Sequence, residues 1–376
     1  MPLSRRTFLW SSVSAAAAVS SLPAISFGRT LAAEPAGRDH PILLDSNENA
    51  YGPSSKVQEA MRSALRLANR YPIAAHESLL EQVAAFHRVN REQLLLGCGS
   101  TEILRMCATT FLGPGKRVVI ASPTFETVSE DATTLGAEIV PVPLDHRFAH
   151  DLDGMLAKVN GSTTLVYICN PNNPTGTLTP RSDLETFLEK LPDHTYVLID
   201  EAYHHYAGIS QTYVSFIDHP VSNPRVIVSR TFSKVYGLAG VRVGYAVSAE
   251  STIRRLAPQQ LWGSVNIVAA RAAGAALENR DHLRLSVKRN ADDRQEFFNQ
   301  AQLRMLKPLD SHTNFYMMDT ARPARQVIEH FKKHNIQIGR EFPPLTSYVR
   351  VSLGLPSEMK EFWRVWDLMP RVEMKM

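Results

Sequence analysis

The chain has 376 residues, 44% of them hydrophobic and 21% charged, with a formal net charge of +4. This balance belongs to a globular protein with room for one large or two moderate domains, and it excludes disordered, collagen-like or coiled-coil chains. Three cysteines are too few for a disulfide framework at this length and read as small buried hydrophobes.

The first element in chain order is an address. Residues 1–33 contain Arg5, Arg6 and Arg29 and no acidic residue, so three of the four net positive charges lie there. Ser4-Arg5-Arg6-Thr7-Phe8-Leu9 precedes a mildly apolar stretch from Trp10 to Phe27, and small residues follow at Ala32 and Ala33. Charged, apolar, small is the order of an export signal, and the paired arginines resemble the twin-arginine type. The stretch is near the minimum spanning length, rich in serine and interrupted by Pro23. The expectation is therefore removal after about Ala33, with no stable membrane anchor. Export by the twin-arginine machinery to a bacterial periplasm follows, a route that carries folded, cofactor-loaded enzymes. Without the leader the chain is nearly neutral and has no basic run, so no nucleic-acid binding is expected.

Beyond about residue 39, short apolar runs alternate with helical patterns. Val118–Ala121, Leu165–Cys169, Tyr196–Ile199 and Val226–Val228 read as buried strands. A helix opening at Gly99-Ser100 places Ile103, Cys107 and Phe111 on one stripe. Another, from Thr179-Pro180, aligns Leu184, Leu188 and Leu191. The fold class is α/β, a mostly parallel sheet covered by helices, with a smaller α+β domain. That domain holds a helix through Arg294–Ala301, a strand at Phe315–Met317, a helix around Val327 and Phe331, a strand at Val349–Leu353, and a closing helix burying Phe362, Trp366 and Met369. The expected division is a leader at 1–33, a segment at 34–70 packing with the small domain, a large domain at 71–290 and a small one at 291–376.

Four segments carry chemistry. Gly97-Cys98-Gly99-Ser100-Thr101-Glu102 opens a helix, where glycines admit a ligand and the helix N-terminus favours an anion. Asn170-Pro171-Asn172-Asn173-Pro174-Thr175-Gly176 follows a buried strand; it reads as a plain turn or, from its place at a strand's carboxyl end, as a ligand loop. Asp200-Glu201-Ala202-Tyr203 also ends a strand, and its Asp could cap a helix or pair with a protonated ring nitrogen. Ser229 to Gly244 is the most specific segment. There Lys234 lies among hydroxyls and glycines, with Arg242 eight residues on. A desolvated lysine near other cations has a lowered pKa and forms Schiff bases, while Thr231, Ser233 and Arg242 could grip a phosphate. His204-His205 and the cysteines lack metal-ligand spacing, so no metal is expected and the histidine pair reads as solvated.

These segments, in this order, resemble the fold-type I pyridoxal-phosphate-dependent aminotransferases of class I/II over about residues 39–370. The branch most resembled is that of histidinol-phosphate aminotransferases, through Asn47-Glu48-Asn49-Ala50-Tyr51-Gly52-Pro53, Arg70-Tyr71-Pro72 and Asn173-Pro174-Thr175-Gly176. The resemblance implies pyridoxal 5'-phosphate as cofactor, an amino acid and a 2-oxo acid as substrates, and a homodimer. It makes Lys234 the Schiff-base lysine and proton shuttle, Asp200 the partner of the ring nitrogen, and Asn173 and Tyr203 the partners of the ring oxygen. Phe125 stacks on the ring, while Gly99, Ser100, Thr101, Thr231, Ser233 and Arg242 surround the phosphate. Tyr71 reaches the neighbouring subunit's phosphate. Arg350 grips the substrate α-carboxylate, Asn49 and Tyr51 line the entrance, and Arg340 contacts substrate. A decarboxylase or oxidative deaminase would use the same cofactor set.

Overall fold

The computed structural model describes residues 40–208, 212–217 and 223–370. The proposed leader, with Arg5 and Arg6, lies outside the described residues. In chain order the strands are β1 (Ile42–Leu44), β2 (Leu94–Gly97), β3 (Arg117–Ser122), β4 (Glu138–Pro143), β5 (Thr163–Cys169), β6 (Tyr196–Asp200), β7 (Val226–Thr231), β8 (Gly244–Val247), β9 (Lys307–Pro308), β10 (Phe315–Asp319), β11 (Ile336–Ile338) and β12 (Tyr348–Ser352). The α-helices are α1 (Ser55–Ala64), α2 (Ile73–His87), α3 (Gly99–Phe111), α4 (Thr127–Thr134), α5 (Leu152–Lys158), α6 (Arg181–Lys190), α7 (His204–Ala207), α8 (Glu250–Leu256), α9 (Ile267–Glu278), α10 (Arg280–Leu303), α11 (Ala324–Lys333) and α12 (Pro356–Trp366).

Seven strands form one sheet in the order β2-β8-β7-β6-β5-β3-β4, with only β8 running against its neighbours. Its strands are apolar on both faces because both are covered. Val166, Ile168, Val197, Ile199 and Val228 join one core with α2, α5, α6 and α9. The alternate residues Leu165, Tyr167, Cys169, Leu198 and Ile227 join the other, with α3, α4 and α8. A third core gathers Leu44, Phe297, Phe331, Val349, Val351 and Phe362 around the β12-β10-β9 sheet and the β1-β11 pair. Cys107 and Cys169 are buried free thiols.

Three expectations need correction. The helix read at Arg294–Ala301 is part of the 24-residue α10, so a division between residues 290 and 291 falls inside a continuous helix; the described residues belong to one compact unit. The segment 40–70 is split in its allegiance: β1 pairs with β11, while Val57 of α1 belongs to the core beneath the large sheet. The His204-His205 pair is half-buried, not solvated. Rings surround it, with Tyr213 Oη 3.0 Å from His204 Nδ1 and Tyr236 Oη 3.2 Å from His205 Nε2, and burial pushes both imidazoles well below their ordinary pKa.

The topology places the chemistry. Parallel strands deliver their carboxyl ends to one edge, where β3 hands on to Phe125, β5 to Asn170–Asn173, β6 to Asp200 and β7 to Thr231–Lys234. Because β8 is antiparallel, its beginning lies at that same edge, with Gly244 opposite both Thr231 and Gly97. Arg242 and the start of α3 therefore meet there.

Candidate active site

A cavity of about 640 Å³ opens at this edge. Ser100, Thr101, Phe125, Asn173, Asp200, Tyr203, Thr231, Ser233, Lys234, Arg242, Arg340 and Arg350 all line it. Gly99 underlies it. Asn49, Tyr51 and Tyr71 do not line it in the single chain. Asn49 spends its amide on the Val235 carbonyl at 3.0 Å, Tyr51 is tied to Asp293 at 3.0 Å, and Tyr71 is 75% exposed against Trp262.

One end of the cavity is built to receive an anion. Gly99 has φ +74°, and a Cβ there would meet Arg242 Nη2 at 2.3 Å; a Cβ on Gly244 would meet the Ser100 amide nitrogen at 2.6 Å. Only glycines allow the guanidinium and the α3 N-terminus to close on each other this tightly. Arg242, itself at φ +65°, donates from Nη1 to Ser233 Oγ at 3.2 Å and to the Ala239 carbonyl at 2.8 Å. Thr231 Oγ1 donates to Ser233 Oγ at 3.0 Å. The first turn of α3 has no side-chain cap, leaving amide donors open.

The middle holds a carboxyl and an amine, both perturbed. Asp200 is buried, and burial pushes its pKa up to about 6 against the opposing bond from Tyr167. Tyr167 Oη donates to its Oδ2 at 3.1 Å and the Ala202 amide to its Oδ1 at 3.2 Å. Lys234 Nζ donates to the carbonyls of Ser46 at 3.2 Å and Asn47 at 3.0 Å. Burial, then the charges of Arg350 and Arg242, bring its pKa down to about 8. Gly237 makes this possible, because any Cβ there would meet the Gly52 carbonyl carbon at 2.5 Å. The lysine loop lies directly against the N-terminal segment.

The other end is cationic. Arg350 donates from Nη1 to Asn173 Oδ1 at 2.7 Å and from Nη2 to the Asp45 carbonyl. Its buried Nε has no partner among the described residues. Arg340, half-exposed, pairs with Glu126. Tyr203 Oη accepts from Asn47 Nδ2 at 2.9 Å, and burial keeps the phenol protonated. An anion cradle, an uncompensated buried carboxyl beside an amine of lowered pKa, and a guanidinium with a free donor fit a phosphorylated, cationic aromatic aldehyde and an amino acid.

Sequence reasoning missed Asn47 and Tyr167. Asn47 opens the Asn47–Pro53 motif, and its own role depends on a contact with Tyr203 that no local pattern signals. Tyr167 was read as core, and its place three residues before Asn170 on the face of Cys169 was the available signal. Among the described residues, no group of three or more histidine, cysteine, aspartate or glutamate side chains is placed to hold a metal.

Comparison with known proteins shows the family. The family model of aminotransferase class I and II matches residues 39–364, and the chain belongs to that family. It is a pyridoxal-phosphate-dependent aminotransferase. The histidinol-phosphate aminotransferase of Staphylococcus carnosus is 36% identical over 315 residues, covering 84% of this chain and 87% of its own. That of a Geobacillus species is 37% identical over 322 residues, covering 83% and 86%. The histidinol-phosphate aminotransferase of Sinorhizobium meliloti, solved in complex with pyridoxal-5'-phosphate, superposes with a TM-score of 0.82 at 28% identity, covering 88% of this chain and 92% of its own.

Proposed function

We propose that the enzyme moves an amino group between an amino acid, or an amine derived from one, and a 2-oxo acid, with Lys234 as the residue that carries the cofactor. The single observation behind this is the gathering of Lys234, Asp200, Arg242 and Arg350 in one cavity. When bound, pyridoxal phosphate supplies an aldehyde that condenses with amines and a ring that accepts the electron pair left at a donor's Cα. Gly99, Ser100, Thr231, Ser233 and Arg242 hold the phosphate, and Thr101 borders it. Asp200 would hold the ring nitrogen, whose positive charge would relieve the cost of burying the carboxylate. Tyr203 takes a bond from Asn47 and so has its own proton to give to the ring oxygen. Asn173, whose Oδ1 is taken by Arg350, presents its amide donors to the same oxygen. Phe125 covers a ring face. Burial and the neighbouring guanidiniums lower the pKa of Lys234 to about 8, which favours the neutral amine that would take a proton from Cα and return it elsewhere. Arg350 orients the donor through its α-carboxylate.

The test is single-turnover conversion of the holoenzyme's absorption by a panel of amino acids and by histidinol phosphate, the substrate its relatives are named for, followed by return with a 2-oxo acid. Borohydride should fix the cofactor on Lys234. No spectral change with any donor, or carbon dioxide release without a need for 2-oxo acid, overturns the reading.

Two further proposals concern the whole molecule. The enzyme acts as a homodimer in which Tyr71 reaches the partner's phosphate; the exposed neighbours Ile73, Leu261 and Trp262 give an apolar surface to bury there. Mixing K234A and Y71A subunits at limiting cofactor should give mixed dimers with one site of wild-type cofactor affinity, which neither parent homodimer combines with turnover, and its absence sinks the shared site. The enzyme is exported through Arg5-Arg6, which supports cofactor loading before transport. R5K/R6K should leave the precursor in the cytoplasm; undiminished export refutes the route. Among the described residues no helix is long and apolar enough to cross a membrane.

A further inference from the structure

Two guanidiniums pack against one ring at the mouth of the cavity. Phe342 is buried, with Arg340 4.3 Å and Arg350 4.8 Å from its ring centroid. The ring therefore sets the spacing of the two cations. What balances them differs. Arg350 makes no ion pair among the described residues; it bonds one amide oxygen and one carbonyl, and its Nε is unanswered. Arg340 is paired with Glu126 and also donates to the Glu341 carbonyl at 2.9 Å. Arg340 follows β11, and Glu126 precedes α4, so the pair bridges the C-terminal strands and the rim of the large sheet. Its side chains are 53% and 51% exposed. Such a pair is screened and weak, and another anion can replace its carboxylate at little cost.

We propose that Glu126 is a specificity-determining residue, a built-in counter-ion that occupies Arg340 in the resting enzyme. A substrate with a second anionic group at its far end, carboxylate or phosphate, must displace Glu126 to reach Arg340. An uncharged side chain leaves the pair intact. Glu126 thus handicaps doubly anionic substrates relative to neutral ones, and handicaps a phosphate dianion less than a carboxylate because its charge is greater. The inference rests on the reading that Arg350 holds the α-carboxylate.

The experiment compares the wild-type holoenzyme with E126Q, R340A and the double variant. Single-turnover titrations use L-glutamate, O-phospho-L-serine and L-norleucine, the last as uncharged reference. Calorimetry measures binding of maleate, a dicarboxylate with no amine to react. Relative to norleucine, E126Q should bind glutamate, phosphoserine and maleate up to about fivefold more tightly, and R340A should erase that gain in the double variant. Equal changes for all ligands, weaker binding of the anions, or a gain that survives R340A overturns the proposal. If no amino acid is converted, the proposed reaction fails, and the maleate measurement still decides the role of Glu126.

Discussion

Asp200 and Glu201 are neighbours at the end of β6, both almost fully buried, and their surroundings are opposite in kind. Glu201 is fully answered. Arg230 lies 2.8 Å from its Oε2, Ser215 Oγ donates to the same oxygen at 2.7 Å, and the Phe216 amide donates to its Oε1 at 2.6 Å. Asp200 receives a phenol and one amide, and among the described residues no cation bonds it. Arg230 and Lys234 repeat the contrast one strand over. Burial weighs on both, but Glu201 holds the Arg230 guanidinium above its ordinary pKa, whereas Lys234 falls to about 8. Similar side chains a few residues apart thus build a charge-compensated pair on one side of the strand ends, where Arg230 Nη1 alone of the pair's polar atoms lacks a partner among the described residues, and an uncompensated set on the other. A charge-compensated buried pair is architecture; uncompensated charge inside a cavity marks a place for a ligand.

Exchanging each charge tests that contrast, and the largest effect belongs to Lys234. K234A should lower single-turnover conversion by about 10⁴-fold while the variant still takes up cofactor, read as an absorption band that borohydride no longer fixes to protein. E201Q should do the converse. It strands Arg230 in the interior, at a cost of about 3–5 kcal/mol by denaturant unfolding, while folded molecules keep turnover within a few-fold. If E201Q abolishes turnover without loss of stability, the division between the two sides fails.

D200N comes next, and its signature is pH dependence. Burial raises the carboxyl to about 6 from an ordinary value of 3.8, so the folded apoprotein binds the proton more tightly than the unfolded chain. Its stability therefore falls as pH rises from about 4 to 6, by about 3 kcal/mol for a shift of two units. Apo-D200N should lack that fall and be the more stable protein at pH 7, yet the holoenzyme should lose about 10²-fold or more in turnover. Parallel stability curves for the two apoproteins would show that Asp200 is not strained by burial.

The two sides also differ in how much of them could be read from sequence. Asp200, Lys234 and Asn173 each sit at or just past a buried strand's carboxyl end, a parallel sheet brings such ends together whatever the loops do, and Arg242 joins them because it precedes the antiparallel β8, which begins at that edge. The apolar runs that gave β3, β5, β6 and β7 therefore gave the cavity's floor as well. The far wall was less legible. Glu126, Phe342, Asp45 and Asn47 come from segments up to about three hundred residues apart in sequence, joined by pairings such as Asn47 amide to Ser352 Oγ, and no local pattern encodes a contact of that range. The beginning of α10 was missed for a different reason. Arg280–Leu303 is mostly polar around its circumference, with only Ser286, Asn290, Phe297 and Ala301 buried, so no sustained apolar stripe announces it.

The smallest effects concern the two tyrosines outside the cavity. Tyr71 is exposed, and its ring touches only Trp262 among the aromatic contacts. If its hydroxyl completes the partner's anion cradle, Y71F removes one bond to a charged group and weakens cofactor binding by about tenfold, measured by equilibrium dialysis of the dimer. Tyr51 is held within its own subunit. Its hydroxyl donates to Asp293 Oδ2 at 3.0 Å, and the Arg289 guanidinium lies 4.9 Å from its ring centroid. Burial and the neighbouring carboxylate push the phenol up to about 12, so it remains a donor throughout the working range. Y51F should cost about 1 kcal/mol of stability, because Asp293 is only partly buried and water can take the lost position. It should leave the donor's KM within twofold. A larger rise in KM at unchanged stability would restore Tyr51 to the cavity entrance, reached across the dimer, and would place it with Tyr71 among the groups that one subunit lends to the other.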